Sequence, residues 1–264
     1  MESAGSKGKL NGQIAVVTGS DSGIGQATAI ALAAEGASVV VNYLKDAKGA
    51  ETTRQGVEEA GGKAIVVQGD VGEEAAVEAI FARCEGELGT ATILINSAGV
   101  DAGGVCVADM TTESWEAALR TNLTGPFLTC RRFIKALHAA KSPGKIVNVT
   151  SVHQEIPRAG AAEYDASKGG LRNLTTTLAL ELAEDHINVN NLAPGMVLTP
   201  MNQEAIDDPK VLEEQVQSIP WKRAADPKEV ARLAVYLASP DADYITGATF
   251  VIDGGLTLNL GQGA

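Results

Sequence analysis

The chain is short of cysteine and histidine, with three of each among its 264 residues. Cys84, Cys106 and Cys130 are odd in number and widely spaced, and neither a Cys-x-x-Cys pair nor a histidine cluster occurs. A disulfide framework needs paired cysteines, and a zinc site needs clustered Cys or His ligands. The sequence therefore predicts neither a disulfide framework nor a metal site.

Long apolar runs and an excess of basic residues are also missing. No window approaches the roughly 18 apolar residues of a membrane span, and the opening MESAGSKGKLNGQ lacks the apolar segment of a signal peptide. Lys and Arg number 21 against 33 Asp and Glu, a net charge of −12. Nucleic acids and anionic membranes are bound by concentrated basic surfaces. These absences predict a cytoplasmic protein that binds neither nucleic acid nor a membrane.

What the chain does have is a regular alternation of short apolar runs and helical patterns. The predicted strands are IAVVTG at 14–19, SVVVNY at 38–43, KAIVVQGDV at 63–71, TILINSAG at 92–99, KIVNVTS at 145–151, INVNNLAPG at 187–195 and ATFVIDGG at 248–255. Such alternation implies right-handed βαβ crossovers and a parallel sheet covered on both faces. We therefore predict an α/β fold, a single-domain Rossmann-type doubly wound sheet of about seven parallel strands flanked by helices.

The length suits one large domain, and no second alternating block is present. We expect a flexible N-terminal tail at 1–12 and a single domain at 13–264. Helical patterns are predicted at 48–60, at 73–88 and, as one long region, at 114–140. The polar, weakly periodic segment 198–219 is expected to act as a substrate lid.

The first apolar run leads into a glycine-rich turn, TGSDSGIG at 18–25, and then into a helical pattern. Gly19 permits the tight turn, Gly23 lets backbone approach a ligand, and Gly25 allows close packing of the helix. Backbone amides at a helix N-terminus favour a pyrophosphate, so this context predicts a dinucleotide site. The structural alternative is a plain turn in which Ser22 is an N-cap.

The end of the second strand is expected to meet the adenosine ribose. Asn42, Tyr43 and the nearby Lys45 include no acid to repel a 2′-phosphate and no arginine to clamp one. NADP, or use of both dinucleotides, is therefore predicted over strict use of NAD. Ser22 would also donate to such a phosphate.

The end of the third strand would hold the adenine, and the end of the fourth strand would leave room for a flat ligand. Asp70 would accept a hydrogen bond from the adenine amino group, with Val71 against the ring; alternatively, Asp70 caps the following helix. Asn96, Ala98 and Gly99 end the fourth strand in small residues.

Ser151, Tyr164 and Lys168 offer a hydroxyl, a phenol and an ammonium. Tyr164 and Lys168 are four residues apart in a helical pattern, so both leave the same helix face, while Ser151 ends the fifth strand. A strand end and a helix face would thus meet at one small substrate. The structural alternative is an exposed Tyr–Lys pair on a helix surface.

Together, TGSDSGIG, NSAG at 96–99, Asn122 in TNLTGPF, Ser151, Tyr-x3-Lys at 164–168 and PGMVLTP at 194–200 resemble the motifs of the short-chain dehydrogenase/reductase family. The resemblance runs from about residue 10 to the end of the sequence. It implies that the domain at 13–264 is both dinucleotide-binding and catalytic. It also implies an NAD(P)-dependent oxidoreductase, with NADP or NAD as cofactor and NADP favoured.

The resemblance implies a role for each matching residue. Tyr164 would exchange a proton with the substrate oxygen while hydride moves between carbon and nicotinamide. Lys168 would lower the pKa of that phenol and hold the nicotinamide ribose, and Ser151 would hydrogen-bond the substrate oxygen. Asn122 would bind a water that links Lys168 to solvent; its structural alternative is a helix irregularity stabilised by the amide.

The remaining cofactor contacts come from the same resemblance. Ile24 belongs to the glycine turn, and Pro194, Gly195, Val197 and Thr199 would run past the nicotinamide. The backbone of Val197 would hydrogen-bond the nicotinamide carboxamide and so fix which face of the ring exchanges hydride.

Within the family, VVVNY, SVHQEIP and YITGATFVIDGGLT are most similar to bacterial glucose 1-dehydrogenases, which implies a sugar or other secondary alcohol as substrate. His153 is retained and would contact a polyol hydroxyl, or else it is a loop histidine held by backbone. That subgroup tends to carry Glu at the positions of Asp101 and Gln154 and an aromatic residue at Arg158. These departures flank the predicted pocket and bear on its specificity.

Two other functions stay open at this point. The motifs also fit a 3-oxoacyl carrier-protein reductase, although docking an acidic carrier favours a basic rim, for which Arg131 and Arg132 are the local candidates. A non-catalytic dinucleotide-binding regulator would have no need of a phenol beside an ammonium. The family also implies a homotetramer, in which the C-terminal GGLTLNL is a contact surface or, alternatively, part of the subunit interior.

Overall fold

The sheet has the predicted architecture. The computed structural model describes residues 8–101 and 103–259, and within them seven parallel strands form one sheet in the order β3-β2-β1-β4-β5-β6-β7. The strands are β1 Ile14–Thr18, β2 Ser38–Tyr43, β3 Ala64–Gln68, β4 Ile93–Asn96, β5 Gly144–Val149, β6 Ile187–Pro194 and β7 Thr249–Ile252. The doubly wound parallel sheet is therefore confirmed. Its strand order reverses between β1 and β4, the point at which open sheets of this kind bind ligands.

Helices cover both faces of this sheet. They are α1 Gly23–Ala34, α2 Ala47–Glu59, α3 Glu74–Glu87, α4 Thr112–Leu119, α5 Gly125–Ala140, α6 Ala162–Glu181, α7 Gln203–Asp207, α8 Pro209–Gln215 and α9 Pro227–Ala238. The helical region predicted at 114–140 is interrupted by a π-helical turn, Arg120–Thr124, between α4 and α5. Within the described ranges, no helix has the length and apolar character needed to cross a membrane.

Two apolar clusters lie on opposite faces of the sheet. Val39 and Val41 of β2 face the side covered by α1, α2 and α9, whereas Val40 faces the side covered by α3, α5 and α6. Successive side chains of a strand point to opposite faces, so a strand buried on both sides reads as an unbroken apolar run. This double burial is why the strands could be located from the sequence.

Part of the segment predicted as a flexible tail, 1–12, packs against the domain. Leu10 is 1% exposed and packs in the apolar core, and its N–H donates to the Glu35 carbonyl at 2.9 Å. Residues 8–12 therefore lie against the domain, because an apolar side chain there is buried beside the end of α1. Residues 1–7 lie outside the described residues.

Candidate active site

The turn between β1 and α1 carries the glycines of TGSDSGIG. Gly19 and Gly23 have φ angles of 57° and 53°, in the left-handed region that glycine adopts without strain. A Cβ on Gly19 would lie 2.7 Å from the Ala98 Cα, and one on Gly25 would lie 2.2 Å from the Gly19 carbonyl oxygen. The glycine backbone and the N-terminus of α1 therefore lie at the carboxyl edge of the sheet. Backbone amides in this position favour binding of an anionic group.

Ser22 occupies the N-cap position of α1, yet its side chain makes no capping hydrogen bond within the described chain. An N-cap serine stabilises a helix by accepting from the amides of the first turn. The interpretation of Ser22 as a side-chain cap is therefore wrong. Its hydroxyl belongs to the wall of a cavity instead.

That cavity, about 530 Å³, lies along the carboxyl ends of the strands. The predicted cofactor residues that line it are Gly19, Ser22, Gly23, Ile24, Gly25, Asn42, Asp70, Val71, Ala98, Gly99, Tyr164, Lys168, Pro194, Gly195, Val197 and Thr199. Ser151 lines it as well. A larger groove of about 1270 Å³ lies at the amino ends of the strands, beside Leu10 and Gly144, and contains none of the predicted site residues. The glycine turn and the three reactive groups thus share one cavity.

Two members of the predicted cofactor set, Tyr43 and Asn96, do not line the cavity. Tyr43 packs against the apolar cluster, and Leu44 and Lys45 line the cavity in its place. Asn96 is 2% exposed, and its amide nitrogen donates to Asn148 Oδ1 at 2.8 Å inside the domain. Their side chains are directed away from the cavity, and their contacts with a cofactor stay predictions.

The end of the cavity that is predicted to hold the adenosine contains an acidic side chain that was not expected from the sequence. Asn42 braces the fold, because its Nδ2 donates to the Gly69 carbonyl at 3.1 Å and its Oδ1 lies 3.4 Å from the Gly19 nitrogen. Asp21, which the sequence analysis missed, lines this end, and burial raises the pKa of its carboxyl, with the charge of Asp46 adding to the rise. In the sequence, nothing separates Asp21 from an ordinary polar turn residue.

Asp70 closes the turn after β3. Its Oδ1 accepts from the Gly72 N–H at 2.9 Å, whereas α3 begins at Glu74 with Glu73 as its N-cap residue. The alternative that Asp70 caps the helix is therefore wrong. Its Oδ2 lies 3.6 Å from an Arg120 Nη2, and the residue lines the cavity beside Val71.

The hydroxyl, phenol and ammonium predicted to meet do so. Ser151 follows β5, and Tyr164 and Lys168 lie in the first two turns of α6; all three are buried and line the cavity. The Lys168 ammonium donates to the Val149 carbonyl at 2.9 Å and lies 5.5 Å from the centre of the Tyr164 ring. The alternative of an exposed helix-surface pair is therefore wrong.

Burial governs the ionisation of this cluster. It raises the pKa of Tyr164 to about 12, and the neighbouring Ser151 hydroxyl acts in the opposite direction. It lowers the pKa of Lys168 to about 8. The pKa of the phenol is thus raised overall, because removal from water disfavours its charged form, and a lowering contribution from Lys168 stays a prediction.

Asn122 lies in the π-helical turn and does not line the cavity. Its Nδ2 donates to the Val100 carbonyl at 2.9 Å and to Ser167 Oγ at 3.0 Å, and its Oδ1 accepts from the Val100 N–H at 2.8 Å. The amide thus joins the loop after β4 to α6. The structural alternative, an irregular helix stabilised by this amide, is present, and the water link stays a prediction.

His153 also lies behind the cavity wall. Its Nδ1 is 2.9 Å from the Ile156 carbonyl, which can only accept, so Nδ1 carries the hydrogen. The ring packs edge-on against Tyr164, with centroids 6.1 Å apart. His153 is therefore both a loop histidine held by backbone and a support for the phenol.

An ion pair joins the two loops beside Tyr164. Asp101 lines the cavity, and its Oδ2 accepts from Arg158 Nη2 at 2.6 Å while its Oδ1 accepts from the Gly103 N–H at 2.9 Å. The Gly104 N–H donates to the Gly160 carbonyl at 2.7 Å, which ties the same loops together. A carboxylate in a fixed orientation therefore faces the end of the cavity nearest the phenol. Gln154 does not line the cavity.

The segment predicted as a lid, 198–219, is folded. It contains α7 and α8, and Val216 and Ile219 pack with Ala224 in a small apolar cluster of their own. At its start, Thr199 crosses the glycine turn, where a Cβ on Gly23 would lie 3.1 Å from the Thr199 side chain. The segment therefore bounds the cavity through a unit that is separate from the main core.

Comparison with known proteins gives one consistent result. The family described as enoyl-(acyl carrier protein) reductase matches residues 18–257. The chain is 42% identical over 258 residues to 3β-hydroxysteroid dehydrogenase 1 of Eggerthella lenta, a match that covers 96% of this chain and 98% of the relative. It is 37% identical over 249 residues to glucose 1-dehydrogenase 2 of Bacillus subtilis, covering 94% and 96% respectively.

A solved structure agrees with these relatives. The crystal structure of a gluconate 5-dehydrogenase from Burkholderia cenocepacia, in complex with NADP and tartrate, matches with a TM-score of 0.87 at 33% identity. The match covers 94% of this chain and 96% of that one.

Proposed function

Because this chain belongs to the short-chain dehydrogenase/reductase family of oxidoreductases, we propose that it transfers hydride between a nicotinamide dinucleotide and a sugar or other secondary alcohol, or the matching carbonyl. The observation that carries this proposal is the meeting of Ser151, Tyr164 and Lys168 in the cavity that also contains the glycine turn. A substrate oxygen within reach of both Ser151 and Tyr164 has a hydrogen-bond donor and a proton source.

The proposed roles follow from the site. A bound nicotinamide dinucleotide would supply or accept the hydride. In reduction, the Tyr164 phenol gives its proton to the carbonyl oxygen as the carbon gains hydride; in oxidation, the phenolate takes the hydroxyl proton. Burial keeps the phenol protonated at neutral pH, since its pKa is raised to about 12. The neighbouring Lys168 ammonium stabilises the phenolate when it forms.

The cavity suits a dinucleotide in shape and polarity. Glycine backbone and the start of α1 would receive the pyrophosphate, Asp70 and Val71 the adenine, and the run from Pro194 to Thr199 the nicotinamide. We propose use of both NADP and NAD. Ser22 and Lys45 favour a 2′-phosphate, whereas Asp21 opposes one.

A polar substrate is supported by the Asp101–Arg158 pair. Its carboxylate can accept from a substrate hydroxyl, and the partly exposed guanidinium can donate to one. An entirely apolar substrate would displace water from this pair without replacing the hydrogen bonds that the water makes, which is costly. We therefore propose a sugar or similar polyol, as in the glucose 1-dehydrogenase-like interpretation.

The carrier-protein reductase alternative finds less support. The family description names an acyl carrier protein reductase. However, Arg131 contacts Glu74 at 2.5 Å, and Arg132 contacts Glu78 and Glu85 at 2.8 Å each. The candidate basic patch is thus neutralised by its own neighbours, which weakens its attraction for an acidic carrier.

A panel of substrates tests the proposal and separates it from both alternatives. Purified protein is assayed with NAD and with NADP on aldoses, simple secondary alcohols and β-keto esters. Turnover of an aldose or alcohol supports the proposal. Activity confined to β-keto esters favours the carrier-protein reductase, and dinucleotide binding without any turnover favours the regulator.

We also propose a homotetramer. The edge strand β7 has Val251 at 47% exposure, and Leu258 of the C-terminal GGLTLNL stretch is 82% exposed. Exposed apolar side chains at a sheet edge favour association with a second copy. Sedimentation that finds only monomer at assay concentration would refute this assembly.

A further inference from the structure

A row of polar side chains, most of them buried, crosses the sheet just behind the cavity. Asn96 on β4, Asn148 on β5, Asn191 on β6 and Thr249 on β7 are register partners, strand to strand. Thr175 of α6 inserts its hydroxyl between Asn148 and Asn191. We call these five residues the ladder.

The hydrogen bonds of the ladder are continuous. Asn96 Nδ2 donates to Asn148 Oδ1 at 2.8 Å, and Asn148 Nδ2 donates to Thr175 Oγ1 at 2.8 Å. Thr175 Oγ1 in turn donates to Asn191 Oδ1 at 2.7 Å, and Asn191 Nδ2 lies 3.3 Å from Thr249 Oγ1. The three asparagines and Thr175 are at most 2% exposed. The polar groups of these four residues are therefore removed from water and depend on their neighbours for hydrogen bonds.

Thr175 is the only member of the ladder on a helix. A threonine inside a helix commonly bonds the carbonyl four residues earlier, and Thr175 Oγ1 does lie 3.0 Å from the Leu171 carbonyl. It also contacts β5 and β6 at shorter distances. One hydroxyl thus ties α6 to two strands at once.

The ladder connects the two elements that carry the reactive groups. α6 bears Tyr164 and Lys168, and the latter lies seven residues before Thr175, about 10 Å along the helix axis. β5 bears Asn148, and the next residue, Val149, supplies the carbonyl that accepts from Lys168. The Asn148–Thr175 bond therefore joins the strand that leads to Ser151 to the helix that carries the phenol and the ammonium.

Apolar packing alone would leave the position of α6 less closely defined. Contact between apolar surfaces is non-directional, so it defines the axial position of a helix less sharply than a hydrogen bond does. A hydroxyl held by two amides allows one axial position, because a shift of about 1 Å would leave buried polar groups unpaired.

We propose that Thr175 is a positioning residue that fixes α6 on β5 and β6 and thereby holds Tyr164 and Lys168 against Ser151 and Val149. The proposal rests on the proposed oxidoreductase function of these groups. Thr175 touches neither substrate nor cofactor, since it does not line the cavity.

Three variants test the proposal. Thr175→Val keeps the shape and removes the hydroxyl, and Thr175→Ser keeps the hydroxyl. The matched control is Thr28→Val on α1, because Thr28 is also fully buried but its hydroxyl has no hydrogen-bond partner in the described chain. We measure kcat with its pH profile, binding of the reduced dinucleotide by its fluorescence, and Tm.

For Thr175→Val we expect kcat to fall about 10-fold or more and its pH profile to shift, because about 1 Å of misplacement costs that much in rate. Dinucleotide binding is expected to weaken about 3-fold through the displaced Lys168. Thr175→Ser should restore kcat to within about 3-fold and dinucleotide affinity to within about 1.5-fold of the wild-type values, and Thr28→Val should leave kcat, its pH profile and the affinity unchanged.

A Thr175→Val protein with wild-type kcat, pH profile and dinucleotide affinity would overturn the proposal, even if its Tm were lower. If that variant does not fold, Thr175→Ala is compared with Thr175→Ser in the same way. If wild-type protein itself turns over no substrate, the proposed function fails. The positioning role is then decided by dinucleotide affinity, which needs no turnover.

Discussion

The two halves of α6 bury polar side chains in opposite ways. Around Thr175 the groups are neutral, and each finds a partner in the ladder. Around Lys168 they are ionisable and poorly partnered: one hydrogen bond to the ammonium is present in the described chain, and burial lowers its pKa to about 8. Complete pairing fixes geometry, whereas incomplete pairing leaves donors and charges available to a ligand.

This difference predicts that the reactive half of α6 costs stability. Lys168→Met should lower kcat about 100-fold or more, since the phenolate loses its stabilising charge. The free energy of unfolding of this variant should be about 1–3 kcal/mol higher than that of wild type at pH 7, because a charge buried away from water is removed. Chemical denaturation at pH 7 and activity assays measure both effects.

The gain in stability should depend on pH. The Lys168 pKa is lower in the folded state, about 8 against the ordinary 10.5, so wild-type stability rises as pH increases between these values. The advantage of Lys168→Met should therefore shrink over that window. Lys145→Met is the control, because it removes hydrogen bonds to Asn188 at 2.7 Å and Asp243 at 2.5 Å and should destabilise the fold. A Lys168→Met protein no more stable than wild type at pH 7 would contradict the comparison.

A smaller effect is expected at the substrate end of the cavity, where Asp101 is held by Arg158. Asp101→Asn should raise KM for a polyhydroxylated substrate about 10-fold, because a charge-assisted hydrogen bond is lost. KM for a secondary alcohol with no other hydroxyl group should change by less than about 2-fold. Asp185→Asn, on an exposed pair with His138 outside the cavity, serves as the control. Equal changes for both substrates would show that Asp101 acts on the fold rather than on specificity.

The smallest effect is expected at the adenosine end. Asp21→Asn removes a half-buried negative charge and should raise the preference for NADP over NAD about 3-fold to 10-fold, measured as the ratio of kcat/KM values. Asp46→Asn is the control. It removes the charge of Asp46, which lies near Asp21, and asparagine can still cap α2. It should shift the preference in the same direction by less. A preference that moves toward NAD in Asp21→Asn would show that Asp21 does not face the ribose.

The sequence predicted the sheet and the convergence of Ser151, Tyr164 and Lys168, because apolar runs and a four-residue helical spacing are local signals. The predicted helix at 48–60, for example, is α2 at Ala47–Glu59. Contacts between distant residues were not predictable. Asp101 meets Arg158 across 57 positions and Asn96 meets Asn148 across 52, and neither pair has a local pattern.

The effect of burial on ionisation could not be predicted from the sequence for a related reason. The spacing of Tyr164 and Lys168 shows that the two groups are close, but it does not show how far each is removed from water. In the fold both are buried, and the ammonium is directed to the Val149 carbonyl. Burial is the largest influence on both pKa values, and its extent is visible only in the three-dimensional structure.

The most direct test of the proposed mechanism is the turnover of Tyr164→Phe, measured beside its dinucleotide affinity. The variant keeps the ring that packs against His153 and removes the hydroxyl group, and with it the proton that the reaction exchanges. We expect kcat to fall about 1000-fold or more, with the dissociation constant of the reduced dinucleotide changed by less than about 3-fold. Turnover at the wild-type rate in Tyr164→Phe would contradict the account.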